Sequence, residues 1–216
     1  MRDVAVICGP TAAGKSALAL ALAERTGAVL VSADSRQVVR RFDLGTAKPT
    51  ADERARVPHR GLDLVDPTER YSAARFAADV PAWLAEADAH GRPVVVVGGT
   101  GFYLRALETP LFEEPPLDET ARRALEAELA LLSIETLRAR VAVLDPPLAH
   151  LGRTQLLRAI EVATLTGTPL STWQRTAARP ATMRLHHLVV DPGDRLRTRI
   201  PSRVHAMLEA GWEREV

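Results

Sequence analysis

The chain has 216 residues, of which 46% are hydrophobic and 25% are charged, a composition typical of a globular protein with a sizeable core. Its net charge of +1 at pH 7 argues against a uniformly basic nucleic-acid-binding protein, although a local basic surface stays compatible with it. No apolar run is long enough to span a membrane, so we expect no membrane partner. A single cysteine excludes an internal disulfide framework and is typical of a reducing compartment, so we expect a cytoplasmic protein.

The N-terminal half alternates between strand and helix patterns. Unbroken apolar runs predict buried strands at Val4–Cys8, Ala28–Val31 and Val94–Val97. Composition and the spacing of apolar residues predict helices at Ser16–Arg25, Ala73–Ala89 and Phe102–Leu107. Residues 40–71 are rich in Pro, Gly, Asp and Arg, and are predicted to form long loops. This order indicates an α/β core with a parallel sheet.

The C-terminal half changes in character after a turn-rich linker at Pro110–Pro116. Helices are predicted at Asp118–Leu132, Glu135–Val143 and Thr154–Thr166, with no strand pattern between them. A strand and a helix then follow, at Leu185–Val190 and Arg195–Ala210, and the four arginines between positions 195 and 203 are interpreted as a solvated helix face. The predicted organisation is an α/β core at 1–112, a small all-helical insertion at 113–183 and a return to the core at 184–216.

The most specific motif follows the first strand. Residues Gly9–Ser16 fit the phosphate-binding pattern G-x-x-x-x-G-K-[ST], with a strand before it and a helix after it. Backbone N–H groups of such a loop point at phosphate oxygens, Lys15 adds a positive charge, and the Ser16 hydroxyl can coordinate Mg²⁺. The motif predicts a P-loop NTPase-like fold and is typical of nucleotide-binding proteins, including those that bind ATP. Lys48 is the only other lysine of the chain, and spacing assigns it no role.

Two further segments follow strands, and ligands bind at the carboxyl ends of parallel strands. Asp34 comes just after the second strand, where its carboxylate is either a general base or an ordinary turn residue. Gly98–Gly101 follows the third strand and contains Thr100. Either its backbone and Thr100 approach a ligand closely, or the segment is an ordinary glycine-rich turn. Many P-loop enzymes carry an Asp here that helps to bind Mg²⁺, and its absence disfavours a kinase.

Several of these segments together resemble a known family. Along with the P-loop, the stretches Ser32–Gln37, Gly45–Pro49, Tyr71–Ala73 and Val97–Leu104 occur in the order and at the spacing of bacterial tRNA dimethylallyltransferases. These enzymes are also called tRNA isopentenyltransferases or IPP transferases. The match continues more weakly through Arg158–Val162 and covers nearly the whole chain.

The resemblance implies a transferase that moves a dimethylallyl group from dimethylallyl diphosphate to N6 of adenosine 37 in the anticodon arm of tRNA, releasing diphosphate. Lys15 and the loop amides would stabilise charge on the leaving diphosphate, with Mg²⁺ at Ser16. Thr100 would form a hydrogen bond near the reacting centre, and Asp34 would take the proton of the attacking amine. We expect the enzyme to be a monomer.

The resemblance also implies two sets of contact residues. The diphosphate would lie against Gly9, Pro10, Thr11, Ala12, Ala13, Gly14, Lys15, Ser16 and Arg199. The tRNA would contact Asp34, Ser35, Arg36, Gln37, Thr100, Arg122, Thr154, Gln155, Leu156, Leu157 and Arg158. The helical insertion would accordingly belong to the part that grips tRNA.

The chain departs from the family pattern at three places. Val39 stands where the family has a tyrosine, Arg60 replaces the second histidine of a Pro-His-His motif, and Leu151–Gln155 replaces an Asn-Asp-x-x-Arg segment. The last departure concerns predicted tRNA contacts. The family's basic and aromatic C-terminal segment does not follow Val216, so we expect a truncated form.

Three alternatives stay open at this stage. A small-molecule kinase would share the P-loop and a carboxylate at a strand end. An adenylate isopentenyltransferase would prenylate free AMP instead of tRNA. A nucleic-acid-binding module that has lost catalysis would keep the tRNA contacts without turnover.

Overall fold

A computed structural model describes residues 2–109, 117–176 and 183–215 of the chain. Residues 2–109 and 183–215 form one compact unit, and 117–176 form a second unit. The predicted linker Pro110–Pro116 lies outside the described residues, as does the predicted boundary at 112. Met183, which the sequence places in the helical insertion, is instead the first residue of a strand in the first unit, where it pairs with Arg2.

The first unit is built on a five-stranded sheet in which every recorded pairing of strands is parallel. Its strands are β1 (Arg2–Cys8), β2 (Val29–Ser32), β3 (His59–Arg60), β4 (Val94–Gly98) and β5 (Met183–Val189), in the spatial order β3-β2-β4-β1-β5. The register places Cys8 beside Gly98 and Ser32 beside Val97. Because each of these residues lies at the last or next-to-last position of its strand, the segments that follow β1, β2 and β4 begin side by side at one edge of the sheet.

Helices surround the sheet and make up the second unit. In the described residues they are α1 (Lys15–Thr26), α2 (Ala51–Arg56), α3 (Ala73–Ala89), α4 (Gly101–Glu108), α5 (Glu119–Ala130), α6 (Ile134–Leu144), α7 (Arg153–Thr166), α8 (Leu170–Thr176) and α9 (Leu196–Glu209). None of them is long and apolar enough to cross a membrane. The predicted P-loop-like α/β fold with an all-helical part is confirmed.

The helix α3 matches its predicted bounds, and its capping and packing explain why. Ser72 precedes it, and the Ser72 side chain accepts a hydrogen bond from the backbone N–H of Arg75. Phe76, Val80 and Leu84 recur at helical spacing and are buried. The Phe76 ring stacks on Tyr103 of α4 with centroids 4.6 Å apart, which joins the two helices.

The prediction of long loops over residues 40–71 is wrong in part, because α2 and β3 lie within them. The helix α2 begins with a capping box, in which Thr50 and Glu53 each bind the backbone N–H of the other. Thr-x-x-Glu is a local signal for the start of a helix, whereas the surrounding Pro and Gly favour a loop. The strand β3 has two residues and depends on its pairing with β2, so no local pattern reveals it.

The second unit has its own apolar core. Leu129, Leu137, Leu156 and Ile160 are nearly inaccessible to solvent there. The helix α8 was not predicted, and it is held by Leu170 in this core and by Asp145, whose carboxylate accepts from the N–H and hydroxyl of Ser171. These long-range contacts supply a stability that a seven-residue segment lacks by itself.

Candidate active site

A cleft of about 930 Å³ opens at the carboxyl edge of the sheet. It is lined by the P-loop Gly9–Ser16, by the segment Asp34–Gln37, by residues of the loop between Asp43 and Pro49, by Gly98–Thr100 and by one face of α9. We call the part formed by the P-loop and α9 the phosphate end, and the part formed by Asp34–Gln37 and Thr100 the carboxylate end. Every residue predicted to touch the diphosphate lines this cleft.

The shape of the P-loop depends on glycine at two positions. Gly9 has φ of 141°, and a side chain there would place its Cβ only 2.3 Å from the carbonyl oxygen of Val190. Gly14 precedes α1 with φ of 100°. Lys15, the first residue of α1, folds back so that its Nζ donates to the carbonyl of Pro10 at 2.7 Å. The loop therefore wraps around its own lysine at a helix N-terminus, a favourable place for an anion.

Two arginines of α9 face the same end of the cleft. Arg199 donates from Nη1 to the carbonyl of Ala13 at 2.9 Å, and Arg203 lies one helical turn further along. Burial lowers the pKa of Lys15; the charge of Asp34 opposes this shift, and that of Arg203 adds to it. Arg203 was missed from the sequence because the arginines of α9 were interpreted as a solvated face. The sequence signal for Arg203 is its spacing of four residues from Arg199, because residues four apart lie on the same face of a helix.

The carboxylate end joins the segments that follow β2 and β4. Asp34 is half-buried, and its Oδ1 accepts from the backbone N–H of Arg36 at 2.8 Å. The hydroxyl oxygen of Thr100 accepts from the backbone N–H of Ser35 at 3.0 Å. Asp34 is thus a turn residue that also lines the cleft, so the two sequence alternatives for it are compatible. Burial and the charge of Asp34 raise the pKa of Tyr103 to about 12.

Gln37 is oriented by three hydrogen bonds. Its Nε2 donates to the carbonyls of Thr46 and Ala47 at 3.1 and 3.0 Å, and its Oε1 accepts from the Ser32 hydroxyl at 2.8 Å. Its side chain therefore ties the carboxylate end to the loop that contains Lys48.

Lys48 itself is enclosed, with 1% of its side chain exposed. Its Nζ lies 2.6 Å from Asp63 and 2.8 Å from Asp43, and it donates to the carbonyl of Val39. Burial acts to raise the pKa of Asp63, but hydrogen bonds from Lys48 and Arg54 outweigh it and hold the pKa below its ordinary value. Lys48 is a structural ion-pair centre beneath the cleft, a role that spacing could not indicate.

The free thiol at the end of β1 differs from its prediction. Cys8 was expected to be buried, but it is partly exposed, with its Sγ 3.8 Å from Nδ1 of His187 on β5.

The tRNA contacts predicted in the second unit fall into two groups. Arg122 and Arg158 both pair with the carboxylate of Glu161, which is 5% exposed, and the Arg158 contact measures 2.9 Å. Thr154 and Gln155 are exposed on the first turn of α7. Leu156, by contrast, is 0% exposed, and Leu157 packs against the same core. The Leu156 side chain faces the helical core on α7, and the tRNA contact expected at this position stays a prediction.

The arrangement separates two chemical functions within one cleft. The phosphate end offers amides, a lysine and arginines for an anionic leaving group, and the carboxylate end offers an acid–base group and a hydroxyl. The segment after β4 carries Gly99 and Thr100 in place of an acidic residue. Fold and site together define a P-loop α/β enzyme that acts on a phosphorylated substrate.

Comparison with known proteins identifies the family. The model of the family described as "IPP transferase" matches residues 37–216, and that described as "Isopentenyl transferase" matches residues 2–60. The tRNA dimethylallyltransferase of Halorhodospira halophila is 46% identical, over 99% of this chain and 71% of its own length.

Solved structures agree with this match. The tRNA isopentenylpyrophosphate transferase of Bacillus halodurans is similar with a TM-score of 0.62 and 32% identity, over 100% of this chain and 69% of that one. A eukaryotic dimethylallyltransferase described as acting on tRNA is similar with a TM-score of 0.72 and 26% identity, over 100% of this chain and 55% of that one. The chain belongs to the IPP transferase family, and it is a transferase of the tRNA-prenylating type.

Proposed function

We propose that this protein transfers a dimethylallyl group from dimethylallyl diphosphate to N6 of adenosine 37 in tRNA and releases diphosphate. The observation that supports this most is the meeting of a P-loop with Asp34 and Thr100 in one cleft, in a chain of this family. No feature of the described residues favours phosphoryl transfer, and the curated relatives support tRNA as the acceptor over free AMP.

The phosphate end would hold the diphosphate and take up the negative charge that develops as it leaves. The backbone N–H groups of the P-loop residues other than Pro10 and the cations of Lys15, Arg199 and Arg203 line this end. Such donors accelerate a reaction because they are already oriented toward the position where charge develops.

The donors at this end fit a hydrated Mg²⁺ ion. The Ser16 hydroxyl lies at the start of α1, and Mg²⁺ in phosphate sites uses few protein ligands and keeps several waters. When bound, the ion would neutralise charge on the diphosphate. Lys15 and the loop amides would hold the remaining phosphate oxygens.

The carboxylate end would receive the adenine. The N6 lone pair forms a bond to the allylic carbon while the carbon–oxygen bond to diphosphate breaks, and that electron pair leaves with the diphosphate. The N6 proton passes to the carboxylate of Asp34, and the Thr100 hydroxyl orients the amine. The adenosine must leave the anticodon stack to reach the cleft.

We also propose that the helical unit binds tRNA, through Arg122 and Arg158 together with the exposed Thr154 and Gln155. Guanidinium groups recognise phosphate with two parallel hydrogen bonds, and Glu161 would keep the two arginines oriented.

Nucleoside analysis tests the proposal. The protein is incubated with dimethylallyl diphosphate, Mg²⁺ and unmodified tRNA that carries A36-A37-A38, and digested nucleosides are analysed by mass spectrometry. Isopentenyladenosine at position 37 is expected, with none in a tRNA that lacks A37. Phosphoryl transfer from ATP, or prenylation of AMP without tRNA, would contradict the proposal.

A further inference from the structure

The loop that closes the carboxylate end is held from the C-terminal side of the chain. After α9, the chain turns at Gly211, which has φ of 95°, into a short 3₁₀ turn at Trp212–Arg214. The carboxylate of Glu215 then accepts hydrogen bonds from three consecutive backbone N–H groups at 2.5 to 3.1 Å, those of Asp43, Leu44 and Gly45. One carboxylate thereby accepts from all three N–H groups of the 43–45 turn.

A second contact supports the first. The Trp212 indole lies against Gly45 so closely that a Cβ at position 45 would come 2.1 Å from its Nε1. The absence of a side chain at Gly45 is what allows this approach. The segment Trp212–Glu215 therefore contacts the 43–45 turn by both a charged group and a ring.

The held loop in turn orients a side chain at the carboxylate end. The next two residues of the loop, Thr46 and Ala47, present the carbonyls that accept from Nε2 of Gln37. Gln37 lies three residues after Asp34, and both line the cleft. A continuous set of hydrogen bonds thus runs from Glu215 through the loop to Gln37.

We infer that Glu215 is a positioning residue, which holds the 43–47 loop so that Gln37 meets the acceptor base in the correct orientation. The inference rests on the proposed function for the identity of that base. We expect Glu215 to act on the acceptor and to leave the diphosphate site unaffected, because the P-loop contacts with Val190 and Arg199 do not include the 43–47 loop. A small displacement of a substrate-positioning group lowers the rate strongly.

The test compares Glu215→Gln with Glu213→Gln, an exposed glutamate of the same turn. Glutamine keeps the shape of the side chain but turns one accepting oxygen into an NH₂ group, which faces backbone N–H donors. Hydrogen–deuterium exchange of residues 42–47 is measured by mass spectrometry, and steady-state kinetics are measured for each substrate separately.

For Glu215→Gln we expect several-fold faster exchange in residues 42–47. We also expect about tenfold lower kcat/KM for tRNA, with an unchanged KM for dimethylallyl diphosphate. Glu213→Gln should behave as the unchanged protein does. Equal behaviour of the two variants, or an equal loss for both substrates, would overturn the inference. If the unchanged protein makes no isopentenyladenosine, the proposed function fails, and the exchange of residues 42–47 still decides the Glu215 contact.

Discussion

The two ends of the cleft are built in different ways. The phosphate end is one contiguous stretch, Gly9–Ser16, whose shape comes from glycine geometry and a helix N-terminus, with α9 added from outside. The carboxylate end joins the segment Asp34–Gln37 to Thr100, which lies 65 residues after Ser35. Glu215 holds the neighbouring 43–47 loop from 170 residues beyond Gly45. We therefore expect binding of an anionic leaving group to depend mostly on local backbone structure, and placement of the acceptor to depend on the packing of the whole unit.

Replacing the phosphate-end lysine should have the largest effect. Lys15→Arg keeps the charge, but the guanidinium is bulkier and planar and does not fit the loop that wraps around Nζ. We expect kcat to fall by about a thousandfold. Arg25→Lys, in the exposed last turn of α1, is the matched control. Full activity of Lys15→Arg, measured as isopentenyladenosine formation, would show that the phosphate end tolerates a different cation.

The next effect should come from the carboxylate end. Asp34→Asn retains an oxygen that can accept from the Arg36 N–H, so we expect an unchanged melting temperature. The substitution removes the proton acceptor, so we expect kcat to fall by about a hundredfold or more. Asp191→Asn is the control, because Asp191 accepts from the N–H of Gly193 in a similar turn after β5. A variant with normal kcat would exclude Asp34 as the base.

Removing the ion-pair centre beneath the cleft should change stability and its pH dependence. Lys48→Met leaves Asp63 with Arg54 alone, so we expect a loss of about 1–2 kcal/mol in the free energy of unfolding. Asp63 has a lowered pKa in the folded state, so it stabilises the fold above its unfolded pKa, and this contribution disappears as pH falls through the folded pKa.

The pKa of Asp63 should rise in Lys48→Met, and acid unfolding should begin at a higher pH than in the unchanged protein. Urea unfolding at several pH values measures both quantities. The control is Arg56→Met, which breaks the exposed pair with Glu24 and should cost little. An equal cost for both variants would show that enclosure of Lys48 adds nothing.

The smallest effect should appear in the helical unit. Glu161→Gln releases Arg122 and Arg158 from a buried carboxylate, and we expect tRNA affinity to fall about threefold because the two arginines lose their orientation. The loss of one negative charge would by itself strengthen binding to tRNA. Glu128→Gln, in the exposed pair with Arg140, is the control. Tighter binding by Glu161→Gln, measured by filter binding at fixed salt, would contradict a positioning role.

Some side-chain roles could be predicted and others could not. The P-loop needs only residues within one stretch, so its pattern identifies Lys15 and Ser16 without a tertiary structure. Lys48 and Glu215 have no local signature, because the tertiary structure brings Lys48 to Asp63 and Glu215 to the 43–45 turn. The inward direction of the Leu156 side chain has the same origin, since the inward face of α7 is set by its neighbours in the helical core.

The α/β core, the P-loop and the family could be predicted without coordinates, because apolar periodicity and glycine positions act over a few residues. The tertiary structure decided which loops meet over the cleft. Parallel pairing brings the ends of β1, β2 and β4 to one edge, and α9 and Glu215 reach that edge from the other end of the chain. Contacts of this kind form only when loop closure is offset by packing of the whole unit, so no single stretch encodes them.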